Sequence, residues 1–336
     1  MHGHHDIWAI ILAAGDGSRL SGLTTDDRGT VVPKQYCSFA GGPSLLARAL
    51  ARADAVTERE RIAVVVAAGH RRWWGPELAE LPPANVLVQP CNRGTACGLL
   101  LPLIHVRLRQ PEATVVVFPS DHYIADEPTF RKALDEAVRR AGELDGRLLL
   151  LGINPDRADA EYGWIRPAST VGGIPSRVVS FVEKPDRPLA ERLMATGALW
   201  NSFTFVTSAA TLWELFQRRL PWLVERFAMA FAAGHGAWWQ APLSEVYNEL
   251  PTLDFSRTVL ERTDDELRVL AVPPCGWTDL GTPARVADCL RRVESCEIDE
   301  LGVAPRPAPL DLADAARTMS ERHLARVQGR PEKSLS

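Results

Sequence analysis

The stretch IWAIILAAGDGSRLSGLTTDDRGTVVPKQY, residues 7–36, decides the fold. Its first eight residues are apolar and branched, as in a strand buried on both faces. They run straight into glycines, an arginine and, after a proline, a lysine. Further short apolar runs follow at 61–69, 85–90, 113–120 and 147–153, separated by amphipathic segments. That alternation predicts a parallel sheet covered on both faces from Asp6 to about Pro155. In the segment 128–144, Phe130, Leu134, Val138, Ala141 and Leu144 recur at three and four positions and make one apolar stripe of a helix.

After Pro155 the pattern changes. YGWIRPAS (162–169) and SRVVSFVEKP (176–185) alternate with period two and flank a Gly-Gly turn, which predicts two paired strands. Helices rich in Trp, Leu and Phe are expected from about Pro188 to Thr263, with a strand-like TFVTS inside them. A last strand, LRVLAV (267–272), leads into PPCGWTDLGT, a helix near Ala284–Val293 and a polar tail.

Composition narrows the function classes. The chain has 336 residues, 46% of them hydrophobic, enough for a sizeable core. A net charge of −4 in mixed signs gives no footing for nucleic acid or a membrane surface. No apolar run approaches the roughly 20 residues of a membrane helix, so the cytoplasm is the default expectation. Six cysteines without a C-x-x-C pair read as reduced thiols rather than disulfides or a zinc site, and His2, His4 and His5 as an unordered terminus. The oligomeric state stays open, a homo-oligomer included.

In an open α/β sheet, ligands bind beyond the carboxyl ends of the strands. The first such loop offers Ala14, Gly15, Gly17, Ser18 and Arg19: glycines let backbone approach a phosphate, and arginine adds a permanent fork of charge. Plain turn chemistry explains the glycines equally well at this point. A dinucleotide site would want a glycine at position 20 and an acidic residue ending the second strand, and the chain has Leu20 and AAGH. Asp121, ending the strand VVVFPSD, suits a Mg²⁺ that bridges phosphates, or a turn cap. Asp279 in GWTDLGT offers a second carboxylate. Lysine is scarce: of 38 lysines and arginines, only Lys34, Lys132, Lys184 and Lys333 are lysine. Where arginine fills generic cationic positions, the lysines beside prolines, Lys34 and Lys184, point to a compact ammonium on a phosphate.

In order, LAAGDGSRL, PKQY, QPCNRGTA, FPSDH, YGWI, FVEKPD, WNSFTF and WTDLGT resemble the sugar-1-phosphate nucleotidyltransferase family, most closely its mannose-1-phosphate guanylyltransferase members, over about Ile7–Thr282. The resemblance implies a Rossmann-like three-layer α/β/α fold with a mostly parallel mixed sheet. It implies a catalytic domain over 1–285 (nucleotide half about 6–155, sugar half about 156–285), then a helical segment and polar tail over 286–336. The implied reaction moves a nucleotidyl group from an NTP, most closely GTP, to a sugar 1-phosphate, most closely mannose 1-phosphate, with Mg²⁺. Arg19 and Lys34 would handle the triphosphate with Gly15 and Gly17, and Asp121 and Asp279 would hold the metal. Gln89, Gly94 and Thr95 would meet the base; Gly163, Glu183 and Asn201 the sugar; Lys184 its phosphate. The chain departs from the family in having fewer glycines in the first loop, in the order around the arginine of NRGT, and in Phe203 where glycine is usual. A core-facing ring is the expectation for Phe203. Two alternatives stand beside this reading: a non-catalytic nucleotide-sugar-binding regulatory paralogue, and a nucleotidyltransferase for another base or sugar.

Overall fold

Strands form where branched apolar residues are continuous: β1 (Ile7–Ala13), β2 (Ile62–Ala67), β3 (Val86–Gln89), β4 (Thr114–Pro119) and β5 (Leu148–Ile153). They are followed by β6 (Gly163–Pro167), β7 (Ser176–Glu183), β8 (Leu199–Ser208) and β9 (Leu267–Val272). The computed structural model describes residues 6–26, 28–169, 173–233 and 240–301. The terminal histidines and the polar tail lie outside these residues, as does part of the Gly-Gly turn.

The helices are α1 (Ser21–Thr24), α2 (Leu45–Asp54), α3 (Arg71–Glu77), α4 (Gly94–Arg107), α5 (Glu127–Arg139) and α6 (Arg187–Ala195), then α7 (Ala209–Arg219), α8 (Pro221–Ala233), α9 (Gln240–Glu249), α10 (Phe255–Thr258) and α11 (Pro283–Leu301). Local chemistry sets their starts. Ser44, Asp126, Asp186 and Ser208 each accept a hydrogen bond from a backbone N–H in the first turn of α2, α5, α6 and α7. Helix α4 is apolar all round and is buried from Ala96 to Val106, as such a helix must be.

The nine strands form one sheet in the order β3-β2-β1-β4-β8-β5-β9-β7-β6, with β6 also touching β8. Side chains alternate across it: Trp8 and Ile10 of β1 enter one core, Ile7, Ala9 and Ile11 the other, and helices close both faces. The fold is the expected Rossmann-like three-layer mixed α/β arrangement.

Three expectations need correcting. The span 188–263 is not helical throughout, because β8 lies within it and runs antiparallel between β4 and β5 at the sheet centre. Consequently β5 is not a neighbour of β4. Helix α5 ends at Arg139 and a 3₁₀ turn follows at Ala141–Glu143, so Ala141 and Leu144 lie beyond the helix. Its buried face is Phe130, Ala133, Leu134 and Ala137. The last helix runs to Leu301, beyond the expected Val293. Among the described residues, no helix is long and apolar enough to cross a membrane.

Candidate active site

A cavity of about 380 Å³ opens at the carboxyl ends of the parallel strands. Every expected site residue except Ser18 lines it; Ser18 is exposed on the first loop and stands outside the wall. The cavity has two ends built by different means: one at the loop after β1, where phosphate is expected, here called the phosphate end, and one at β6 and β7, where sugar is expected, here called the sugar end.

At the phosphate end the loop after β1 is held from below. Gln35 Nε2 donates to the carbonyls of Ala13 and Gly15 at 3.0 and 2.9 Å, and Asn92 Nδ2 donates to Asp16 at 3.1 Å. Gly17 has φ of 63°, and a Cβ there would lie 2.9 Å from the backbone nitrogen of Lys34. Only glycine meets both conditions. Gly15, by contrast, has open space where a side chain would stand.

Lys34, 5% exposed, donates to Asp121 Oδ2 at 2.9 Å and to the backbone carbonyl of Asp279. Burial works against the Asp121 charge, but the Lys34 ammonium outweighs it and holds the carboxyl below its usual range. His122 Nε2 lies 3.7 Å from Asp121 Oδ1, and burial pushes this imidazole down to about 4, so it brings no charge at neutral pH. Arg19 reaches Glu161 at 3.1 Å in an exposed pair of small energetic consequence.

Asp279 is brought to the same wall, but its carboxylate is engaged by Arg285, Tyr162 and the Gly281 amide. Both carboxylates expected to hold the metal thus already have cationic partners, Asp121 in Lys34 and Asp279 in Arg285. The Tyr162 hydroxyl is pushed up, by burial first and by Asp279 next, and therefore stays a donor.

Gly94, at φ 82°, opens α4, and a Cβ there would collide with the Leu253 carbonyl. The Thr95 hydroxyl accepts from the Phe255 amide at 2.8 Å, so it ties α4 to α10. Gln89 is buried beneath them, its Oε1 3.4 Å from the Tyr247 hydroxyl.

At the sugar end, Gly163 and Glu183 face one another across β6 and β7. A Cβ on Gly163 would stand 2.5 Å from Glu183 Oε2 and 3.3 Å from Asn201 Cβ, so these three residues converge on one spot. Lys184 Nζ lies 3.5 Å from Glu183 Oε1. Burial, and then Asp254, raise the Glu183 carboxyl to about 7 despite Lys184.

Phe203 meets its core-facing expectation in part, packing against the core without turning fully inward. Between Leu150 and Gly152, β5 advances two residues while their partners on β8 run from Phe205 to Asn201, and this bulge holds Phe203 at φ 56°. Its amide donates to Asn201 Oδ1 at 3.0 Å. The half-buried ring packs edgewise on Phe205 and Phe255 at 6.3 and 6.2 Å and also lines the cavity. The bulge breaks the alternation that would have turned it fully inward.

Sequence reasoning missed Gln35, His122, Tyr162, Asp254 and Arg285. Gln35, His122 and Tyr162 adjoin expected residues; nothing local marks Asp254 and Arg285.

This mixed α/β fold places a glycine-bearing loop and a polar pocket on one cavity at the strand ends. The chain belongs to the nucleotidyl transferase family, which matches residues 8–295. It is 29% identical over 288 residues to the xanthan biosynthesis protein XanB of Xanthomonas campestris pv. campestris strain B100, covering 84% of this chain and 59% of that protein. It is 29% identical over 286 residues to the mannose-1-phosphate guanylyltransferase of Escherichia coli K12, covering 82% and 58%. Among solved structures, a Thermus thermophilus protein described as a mannose-1-phosphate geranyltransferase is 30% identical, with a TM-score of 0.70 over 86% of this chain and 79% of that one. The chain spans about three-fifths of the length of the curated relatives it matches.

Proposed function

We propose that this protein transfers a nucleotidyl group from an NTP, GTP first, to a sugar 1-phosphate, mannose 1-phosphate first, and releases pyrophosphate. One observation carries the reading: a single cavity gathers Gly15, Gly17, Arg19 and Lys34 at one end and Gly163, Glu183, Lys184 and Asn201 at the other. Similarity to mannose-1-phosphate guanylyltransferases favours GTP and mannose as the first pair to try.

In this reading a phosphate oxygen of the sugar 1-phosphate forms a bond to the α-phosphorus. The bond from that phosphorus to the bridging oxygen of the β-phosphate breaks, and its electron pair leaves with pyrophosphate. No protein nucleophile is needed; the residues position the reactants and offset charge. Gln35 and Gly17 hold the loop that receives the triphosphate, and Lys34 sits where its ammonium can follow charge onto the departing group. Lys184 meets the sugar's phosphate, while Glu183 and Asn201 meet hydroxyls. Phe203 forms an apolar wall against the substrate.

The residues fit a hard divalent ion. Asp121 offers carboxylate oxygen at the cavity, and Mg²⁺ takes one or two carboxylates plus phosphate oxygens. Among the described residues no group of three or more His, Cys, Asp or Glu is placed to hold a metal ion by itself. When bound, Mg²⁺ would supply charge neutralisation on the phosphates.

A pyrophosphate-release screen of five NTPs against mannose, glucose, galactose and N-acetylglucosamine 1-phosphates tests the reading. The expected result is turnover that needs both substrates, with GTP and mannose 1-phosphate strongest. Binding of GDP-mannose without turnover on any pair would replace it with the regulatory-paralogue reading.

A further inference from the structure

Arg285, in the first turn of α11, is 4% exposed, and every polar atom of its guanidinium is engaged. Nη1 lies 2.9 Å from Asp279 Oδ1 and 3.0 Å from Oδ2. Nη2 and Nε reach Asp159 Oδ1 and Oδ2 at 2.7 and 3.3 Å. The group also lies 4.0 Å over the Tyr162 ring, whose hydroxyl donates to Asp279 Oδ1 at 3.0 Å. The Gly281 amide donates to that oxygen at 2.9 Å. One guanidinium nitrogen is thus nearly equidistant from both oxygens of Asp279, as a cation chelated by this carboxylate would be. Arginine keeps its charge even when buried, so the neutralisation is permanent.

Asp121 is placed differently. Its cation partner among the described residues is the single ammonium of Lys34 on Oδ2, and His122 Nε2 stands 3.7 Å from Oδ1. Asp121 therefore keeps more of its field for an incoming ion than Asp279 does.

We infer that Arg285 is a positioning residue that neutralises Asp279 from behind the cavity, making the two carboxylates unequal metal partners with Asp121 carrying the larger share. The inference rests on the proposed nucleotidyl-transfer reading only in taking the cavity to receive a divalent ion. Arg285 orients neighbours that face substrate and touches no reacting atom itself. Through Tyr162 it also joins the sugar-side loop at 161–163 to the loop bearing Asp279.

The test is Mn²⁺ binding to the whole chain, read as free Mn²⁺ by electron paramagnetic resonance. Asp121→Asn should weaken binding by about tenfold or more, as loss of a metal-site partner does. Asp279→Asn should weaken it by less than about threefold, because its charge is already offset. Arg285→Gln should tighten binding roughly fivefold by unmasking Asp279, and the gain should vanish in the Arg285→Gln/Asp279→Asn double variant. Arg285→Lys, which restores a positive charge, should return the affinity toward the parent value and guards against a folding defect in the glutamine variant. A merely structural Arg285 would lower Tm and leave Mn²⁺ affinity unmoved. That result, or Asp279→Asn weakening Mn²⁺ as much as Asp121→Asn, overturns the inference. Absence of pyrophosphate release in the parent would overturn the proposed reaction and leave this ordering of affinities untouched.

Discussion

The two ends of the cavity solve the same backbone problem with different residues. At the phosphate end, positive φ falls on Gly17 and Gly94, which adopt it without strain. At the sugar end it falls on Lys184 at 51° and Phe203 at 56°, where a side chain makes the left-handed conformation unfavourable by about 1–2 kcal/mol each. On the proposed reading the first end takes a triphosphate, which needs close backbone and a fixed charge, so bare glycine suffices there. A sugar is told apart by its hydroxyls and faces, so the strained positions keep side chains that reach the pocket. Leu280, at 46° beside Asp279, is a further strained position, so strain is concentrated at the sugar end without being confined to it.

The sharpest break in the comparison would come at Lys34. The residue is buried, packed under Gly17 and held between Asp121 and the Asp279 carbonyl, so a planar guanidinium has no room. Lys34→Arg should lower kcat about 100-fold in pyrophosphate release, the scale of losing one preorganised donor. Activity within a few-fold of the parent would make Lys34 an ordinary cation and blur the contrast between the ends.

Gly17→Ala comes next. The methyl meets the Lys34 backbone and the left-handed φ together, so the variant should lose about 1–2 kcal/mol in urea unfolding and turnover with it. A Tm equal to the parent's would remove the case for glycine at this position.

Phe203→Gly should change stability less. Relief of the positive φ offsets much of the lost contact with Phe205 and Phe255, leaving a net change within about 1 kcal/mol. Its effect should fall on selectivity, as a several-fold change in the ratio of kcat/KM for mannose 1-phosphate over glucose 1-phosphate. An unchanged ratio with a large drop in Tm would reassign the ring to the core.

The smallest effect concerns pH. The Glu183 carboxyl rises from 4.5 to about 7, so between those values the folded protein binds more protons than the unfolded chain. Stability contributed by this group is then present at low pH and falls as pH rises through that window. Tm of the parent minus that of Glu183→Gln should decline from pH 5 to pH 7.5; a flat difference would mean the carboxyl is ordinary.

Much of the phosphate end was legible because its signals are local. Apolar runs mark β1, β2 and β4, glycines mark the turn, and a lysine amid so many arginines stands out at Lys34. The sugar end was legible only in outline. Strand β8 hid among Trp-, Leu- and Phe-rich helices, and its bulge at Phe203 destroys the period-two alternation by which a strand is read. Arg285 could not be found at all, since two of its partners, Asp159 and Tyr162, lie far off in the sequence, and its own neighbourhood, although six residues from Asp279, reads as an ordinary helix start.

The central place of β8 also constrains how the chain is made. Residues 205–208 pair with β4, and residues 200–206 pair with β5, whose other neighbour, β9, comes later still. Until the ribosome has delivered Ser208, β4 has an unpaired edge and β5 has no partner of its own within the sheet. Exposed apolar edges of this kind invite pairing between molecules, and pairings so distant in sequence form slowly. The first 155 residues, which carry the whole glycine loop and Asp121, should therefore sediment as aggregates when expressed alone. A soluble monomeric fragment in ultracentrifugation would show that the early strands find other partners while they wait.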